Sequence, residues 1–263
     1  MTSIGVPSIH GGTGDRSATI FFGVNALFRR LDTVRRPDRY AKQIEQLLPG
    51  YRFTILGYTG GQDFNGIVES MAAAIGSAPD LLIGISFGGI VALRFAAQHP
   101  ELTRRLVLLS SAHRFSLNGQ RMLRSQFEAL ERHDLASLAR ENALLFRRPW
   151  YNWLLRAKLA MDASKMAEQM RAPDAILEDY RRLFGPEFER NADFARQVQC
   201  PTLLLCGGGD QVFDSAACQE TARLIPNCRL QLFGKETHML PIERSADVAR
   251  AIADFTKEKA GPV

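Results

Sequence analysis

The sequence predicts an α/β fold: a mostly parallel central sheet flanked by helices, with an inserted all-helical segment. Three observations predict it. Short β-branched or apolar runs alternate with helical patterns from about residue 17 to 112, the alternation returns from about 200 to 259, and the stretch between them carries no strand pattern. Strands separated by helices of this length need crossover connections, so they pair in parallel. At 263 residues, 46% hydrophobic and 23% charged, the chain is long enough to bury one large core.

The elements follow in order. The first dozen residues read as loose, with His10-Gly11-Gly12-Thr13-Gly14 as an early turn. ATIFF is then a strand, RYAKQIEQLL a helix, YRFTILGY a strand, FNGIVESMAAAI a helix, DLLIGIS a strand, GIVALRFAAQ a helix and RRLVLLSSA a strand. After the insertion come the strand of PTLLLCGGGD, the helix SAACQETARLI, the strand CRLQLFG and the helix SADVARAIADFTKEK, with a loose AGPV at the end. Within 113–199, Leu123, Phe127 and Leu130 fall at helical spacing, as do Leu135 and Leu138, and breaks come at Arg148-Pro149, Ala172-Pro173 and Gly185-Pro186. The expected division is a core of 1–112 with 200–263, and a helical insertion over 113–199.

Composition excludes several classes. No apolar run approaches the roughly 18 to 20 residues of a membrane span, and the start lacks the basic and apolar regions of a signal peptide, so a cytoplasmic location is expected. Cys200, Cys206, Cys218 and Cys228 have no CxxC spacing and read as free thiols, and no metal site is expected. The net charge of +5 is interspersed along the chain without a nucleic-acid motif, which leaves a mildly basic surface suited to anionic partners.

Gly84-Ile85-Ser86-Phe87-Gly88 fits G-x-S-x-G. The pattern alone is a weak signal; its context is the strand, sharp turn and helix that lift a serine hydroxyl clear of a sheet. Glycines at 84 and 88 relieve collisions that such a turn creates, Gly89 extends the relief into the helix, and the helix amino end favours a developing oxyanion. A serine needs a base, and the base an orienting acid, in loops at the carboxyl ends of later strands. TLLLC runs into Gly207-Gly208-Gly209-Asp210 and RLQLF into Gly234-Lys235-Glu236-Thr237-His238, so the order is Ser, Asp, His.

On GISFG, CPTLLLCGGGD and THMLPIE the chain resembles the α/β-hydrolase family over nearly its whole length. The resemblance implies Ser86 as nucleophile, His238 as general base and then acid, and Asp210 as the orienting carboxylate. It also makes the insertion a cap over the substrate pocket, and it calls for no cofactor. His10-Gly11-Gly12 imitates an oxyanion loop of some members but precedes the strand that should feed it. That loop is placed at Phe22-Gly23-Val24-Asn25, where many relatives have His-Gly, with the oxyanion held by the N–H groups of Val24 and Phe87.

His99, His113 and His133 read as structural or solvated, and Asp214 as a helix cap rather than the acid. Trp150, Trp153 and Met161 read first as packing between helices of the insertion and second as substrate-pocket residues, and Asn25 first as a turn former and second as a side-chain donor at the pocket. The expected partner is a small acyl substrate carrying an anionic or carrier-bound handle near Arg29, Arg30, Arg35 or Arg36. The implied reaction is cleavage of an ester, lactone or thioester through an acyl-enzyme. The alternatives are carbon-carbon hydrolysis or acyl transfer by the same triad, and a slow-turnover ligand-binding receptor.

Overall fold

The computed structural model describes residues 5–23, 28, 31, 37–134, 136–138, 153–154, 157–158, 161 and 170–257. Seven strands form one sheet: β1 (Ser8–Gly11), β2 (Arg16–Phe21), β3 (Tyr51–Leu56), β4 (Leu81–Ile85), β5 (Leu106–Leu109), β6 (Thr202–Gly207) and β7 (Cys228–Phe233). Their order across the sheet is β1-β3-β2-β4-β5-β6-β7, and every pair is parallel except β1 with β3. The chain steps from β2 to β3 on one side and crosses back to β4 on the other. This reversal opens a crevice at the carboxyl ends of β2 and β4, where ligands of open α/β sheets bind.

The strand β1 corrects the expectation of a loose first dozen residues. It is short and lies at the sheet edge, with Ile9 as its buried residue, so its sequence carries almost no alternation to read. The turn expected at HGGTG begins at Gly12, whose φ of 73° brings its Cα under the Tyr51 carbonyl; a Cβ there would lie 2.0 Å from that oxygen.

The central strands β4, β5 and β6 bury both faces, which is why they read as continuous apolar runs. In β5, Leu106 and Leu108 point into one cluster with α2 (Phe64–Ile75), α3 (Phe87–Gln98) and α7 (Ser215–Leu224). Val107 and Leu109 point into the other, with α1 (Pro37–Leu47) and α9 (Ser245–Lys257); the short α8 (Leu240–Glu243) leads into α9. Arg94 is a buried exception inside α3. Its Nε donates to Asn191 Oδ1 at 2.6 Å, its guanidinium lies 4.0 Å from the Phe64 ring centre, and burial pulls its pKa down to about 10.

Between β5 and β6 the described residues form helices and no strand. These are α4 (Leu117–Glu131), α5 (Pro173–Leu183) and α6 (Asn191–Gln197), with a 3₁₀ turn at Pro186–Arg190. The breaks at Pro173 and Pro186 become helix starts, where a missing N–H costs nothing. Helices α4 and α5 pack on each other around Tyr180, while α6 packs on the core helices α3 and α7. Asp179 of α5, 2% exposed, accepts from the Gly61 N–H at 2.7 Å and from Arg171 Nη1 at 2.5 Å, and so ties α5 to the loop after β3.

His113 is buried in the loop after β5, its Nδ1 2.8 Å from Thr221 Oγ1 and its Nε2 3.7 Å from Glu220. Burial lowers its pKa from 6.5 to about 4, Glu220 opposing the change and Arg114 and Arg196 adding to it. The unfolded chain therefore binds a proton there that the folded chain refuses. Stability present above pH 6.5 is expected to fall as the pH drops toward 4, by at most about 1.4 kcal/mol for each pH unit crossed. The urea midpoint of the native protein should fall more steeply below pH 6.5 than that of His113→Gln; parallel curves would assign the loss to another group.

Candidate active site

Ser86 occupies the one-residue turn between β4 and α3 with φ 55° and ψ −122°, in the sparsely populated positive-φ region. The turn exists because its neighbours lack side chains. A Cβ on Gly84 would meet Gly89 Cα at 2.4 Å, one on Gly88 would meet the Phe21 carbonyl oxygen at 2.1 Å, and one on Gly89 would meet Ser111 Cβ at 2.4 Å. Backbone atoms of β2 cannot retreat without tearing the sheet. Gly88→Ala is expected to cost at least about 3 kcal/mol, read as a lowered urea midpoint or insoluble protein.

The acid and base arrive on adjacent loops. Gly208 and Gly209 follow β6, and the loop after β7 lies directly against them: a Cβ on Gly207 would be 2.2 Å from the Glu236 carbonyl oxygen, and one on Gly208 1.9 Å from that of Gly234. The Gly209 N–H donates to the Glu236 carbonyl at 2.8 Å. Asp210, 2% exposed, accepts through Oδ1 from the N–H groups of Val212 (2.7 Å) and Phe213 (3.1 Å), which leaves Oδ2 for His238 Nδ1 at 2.9 Å. A carboxylate only accepts, so Nδ1 carries the proton and Nε2 is free to accept from the Ser86 hydroxyl, 2.8 Å away. The histidine loop is braced from behind by Glu243, which accepts from the Thr237 N–H at 2.7 Å and from its hydroxyl at 2.9 Å.

The structure thus brings Ser86, His238 and Asp210 into one hydrogen-bonded line. Asp214, the rival acid, caps α7 by accepting from the Ala217 N–H at 2.8 Å. Phe87, as the first residue of α3, carries one of the N–H groups that a helix leaves without an internal partner. Gly23 passes beside the serine, its absent Cβ 3.6 Å from Ser86 Cβ, and so leads the chain after β2 to the site. Val24, Asn25 and the four arginines at 29, 30, 35 and 36 lie outside the described residues.

A cavity opens above the line. Ser86, Phe87 and His238 form its floor; Phe115, Val212 and Phe213 form one wall; Met122, Leu123 and Gln126 of α4, with Tyr180 and Phe184 beside them, form the roof. The expectation for the pocket is corrected here. Trp153 and Met161 are 69% and 76% exposed and do not line the cavity, and Trp150 lies outside the described residues. The roof comes instead from α4 and the end of α5, which are anchored over the strand ends. Spacing offered a hint in the 176, 177, 180 and 183 stripe of α5, all buried. Gln126 and Phe184 carry no such hint.

Among the described residues no three His, Cys, Asp or Glu side chains converge as a metal site, and no helix is long and apolar enough to cross a membrane. Cys206 and Cys218 are buried with their sulfurs 2.8 Å apart, and burial pushes the Cys206 thiol up.

The chain is similar to the 2-hydroxymuconate semialdehyde hydrolase of Pseudomonas putida, at 28% identity over 70% of this chain and 65% of that protein, less than two thirds of its length. It is similar to the pimeloyl-[acyl-carrier protein] methyl ester esterase of Chromobacterium violaceum, at 24% identity over 73% and 76% of the two chains. Among solved structures, the enol-lactonase of Burkholderia xenovorans LB400 superposes with a TM-score of 0.73 at 16% identity, covering 95% of this chain and 96% of that one, a likeness of fold. Residues 38–245, well over half of the chain, match the family model described as alpha/beta hydrolase fold, and the chain belongs to that family.

Proposed function

We propose that the protein is a serine hydrolase that cleaves a carboxylic ester, lactone or thioester through an acyl-enzyme. The observation that carries this reading is the hydrogen-bonded line from Asp210 through His238 to Ser86 at the floor of a cavity. Ser86 Oγ attacks the carbonyl carbon while His238 Nε2 takes the hydroxyl proton, and the carbonyl electron pair moves onto oxygen. The N–H groups of Phe87 and Val24 are the proposed donors to that oxyanion, next to the positive end of α3. Collapse expels the alcohol or thiol, which takes the proton from His238. Water then attacks the acyl-enzyme, its proton passing through His238 to Ser86 Oγ, and the carboxylic acid leaves. Asp210 stays ionised throughout and stabilises the imidazolium.

The relatives support the coarser part of this reading, since their names describe hydrolases and esterases. The relative named for 2-hydroxymuconate semialdehyde favours a second reading, in which the same three groups act on a semialdehyde of that kind. The relative named for a pimeloyl-[acyl-carrier protein] ester supports a carrier-borne substrate, with the arginine pairs at 29, 30, 35 and 36 as its proposed dock.

Hydrolysis of short and medium p-nitrophenyl esters and acyl thioesters, with fluorophosphonate labelling, tests the proposal. Turnover together with a label on Ser86 is the expected result. A label without turnover of either ester class would move the reading to the semialdehyde or to a ligand receptor, and no label at all would end it.

A further inference from the structure

The roof of the cavity contains a buried polar side chain. Gln126, 4% exposed, sits among Met122, Leu123, Tyr180 and Phe184 and faces the space above Ser86. Among the described residues its amide hydrogen-bonds only with the Tyr180 hydroxyl, at 3.1 Å. That single bond fixes the amide's direction. Tyr180 is completely buried, burial raises its pKa so that the phenol keeps its proton, and Gln126 is its only hydrogen-bond partner among the described residues. The phenol must donate, so Gln126 Oε1 accepts, and Nε2 with both its hydrogens is left without a partner among the described residues, on a side chain that lines the cavity. Turning the amide over would leave the phenol proton buried and unpaired.

We infer that Gln126 Nε2 selects substrates whose acyl part carries a hydrogen-bond-accepting oxygen, such as a ketone, beyond the scissile carbonyl. This rests on the hydrolase reading above and names the substrate class for it. An otherwise apolar cavity would hold a plain alkyl chain well, and a donor pair left without a partner penalises such a chain. An oxygen placed against Nε2 removes that penalty. Sites built around a buried polar group reject analogues that lack the matching group far more strongly than apolar pockets reject a missing methylene. Tyr180 is the positioning residue: it holds the amide without reaching the substrate.

The test compares p-nitrophenyl hexanoate with the 4-oxo- and 5-oxohexanoate esters, reading the ratio of kcat/KM for each oxo ester over hexanoate. In the native protein the better oxo ester is expected to lead by roughly tenfold or more. In Gln126→Leu and Gln126→Met, two fillings of similar volume, the ratio should collapse toward one. Tyr180→Phe should lower it part way, because the amide is then free to turn. No preference for either oxo ester, or a preference that survives both Gln126 variants, overturns the inference.

A binding measurement separates its failure from that of the hydrolase reading. Hexanoate and the two oxohexanoates are titrated into Ser86→Ala, with and without Gln126→Leu. Tighter binding of an oxo acid that depends on Gln126 supports the selection even if no ester is turned over; equal binding of all three acids in Ser86→Ala overturns it.

Discussion

Replacing Ser86 by alanine is expected to lower kcat for any hydrolysed ester by about 10⁴- to 10⁶-fold with the fold untouched. The size follows from what is removed. His238 and the N–H groups at the start of α3 remain, so the residual rate is what binding and oxyanion contacts sustain with water as the nucleophile. The stability half of the result separates chemistry from damage. Alanine keeps the Cβ, so the cost of holding φ at 55° is unchanged and the urea midpoint should stay within about 0.5 kcal/mol of the native value. Ser86→Gly, which relieves that backbone, should be more stable by about 1 kcal/mol and equally inactive. Activity in the alanine variant within tenfold of native would remove Ser86 from the mechanism.

Asp210→Asn is expected to lower kcat by about 10⁴-fold at neutral pH while the protein stays folded. The reason lies in how the two carboxylate oxygens are used. The Val212 and Phe213 N–H groups need an acceptor, and the oxygen of an asparagine has to remain there. Its NH₂ group then faces His238 Nδ1 and can only donate. The imidazole must accept at Nδ1, which moves its proton to Nε2 and points it at the Ser86 oxygen, the tautomer that cannot act as base. Asp210→Ala should be comparably inactive but also less stable by about 1 to 3 kcal/mol, since two buried donors lose their partner. If the asparagine variant were as unstable as the alanine one, the assigned roles of the two carboxylate oxygens would be wrong.

The parts of this protein that are local in sequence were legible in it. The run LLIGISFGG encodes strand, turn and helix within nine residues, and each glycine there answers to a contact a few positions away or one strand over. Asp210 and His238 were legible because a loop that follows a strand is bound to emerge at the same sheet edge as Ser86. The rest depended on contacts between distant segments. Gly207 and Gly208 looked like ordinary loop glycines until the carbonyls of Gly234 and Glu236 came to lie where their side chains would be. Strand β1 needs β3 beside it to exist, and four residues with one buried side chain carry no period of their own. The cavity was the least legible. Aromatic content drew attention to Trp153, whereas the roof residues were selected by where α4 and α5 are anchored.

Those anchors divide what a change of sequence can reach. The two loops that carry the acid and the base meet main chain against main chain, with no room for a side chain between their glycines and the facing carbonyls. The roof has a main-chain anchor ahead of α4, the Ser116 N–H donating to the Val212 carbonyl, and rests besides on side chains: one carboxylate, Asp179, fastens α5 to the loop after β3, and the cavity-facing positions of α4 and α5 are ordinary helix positions. Descendants of this chain could therefore change diet without changing teeth, because each roof position is a single codon away from a different pocket while the cutting edge passes down as one block.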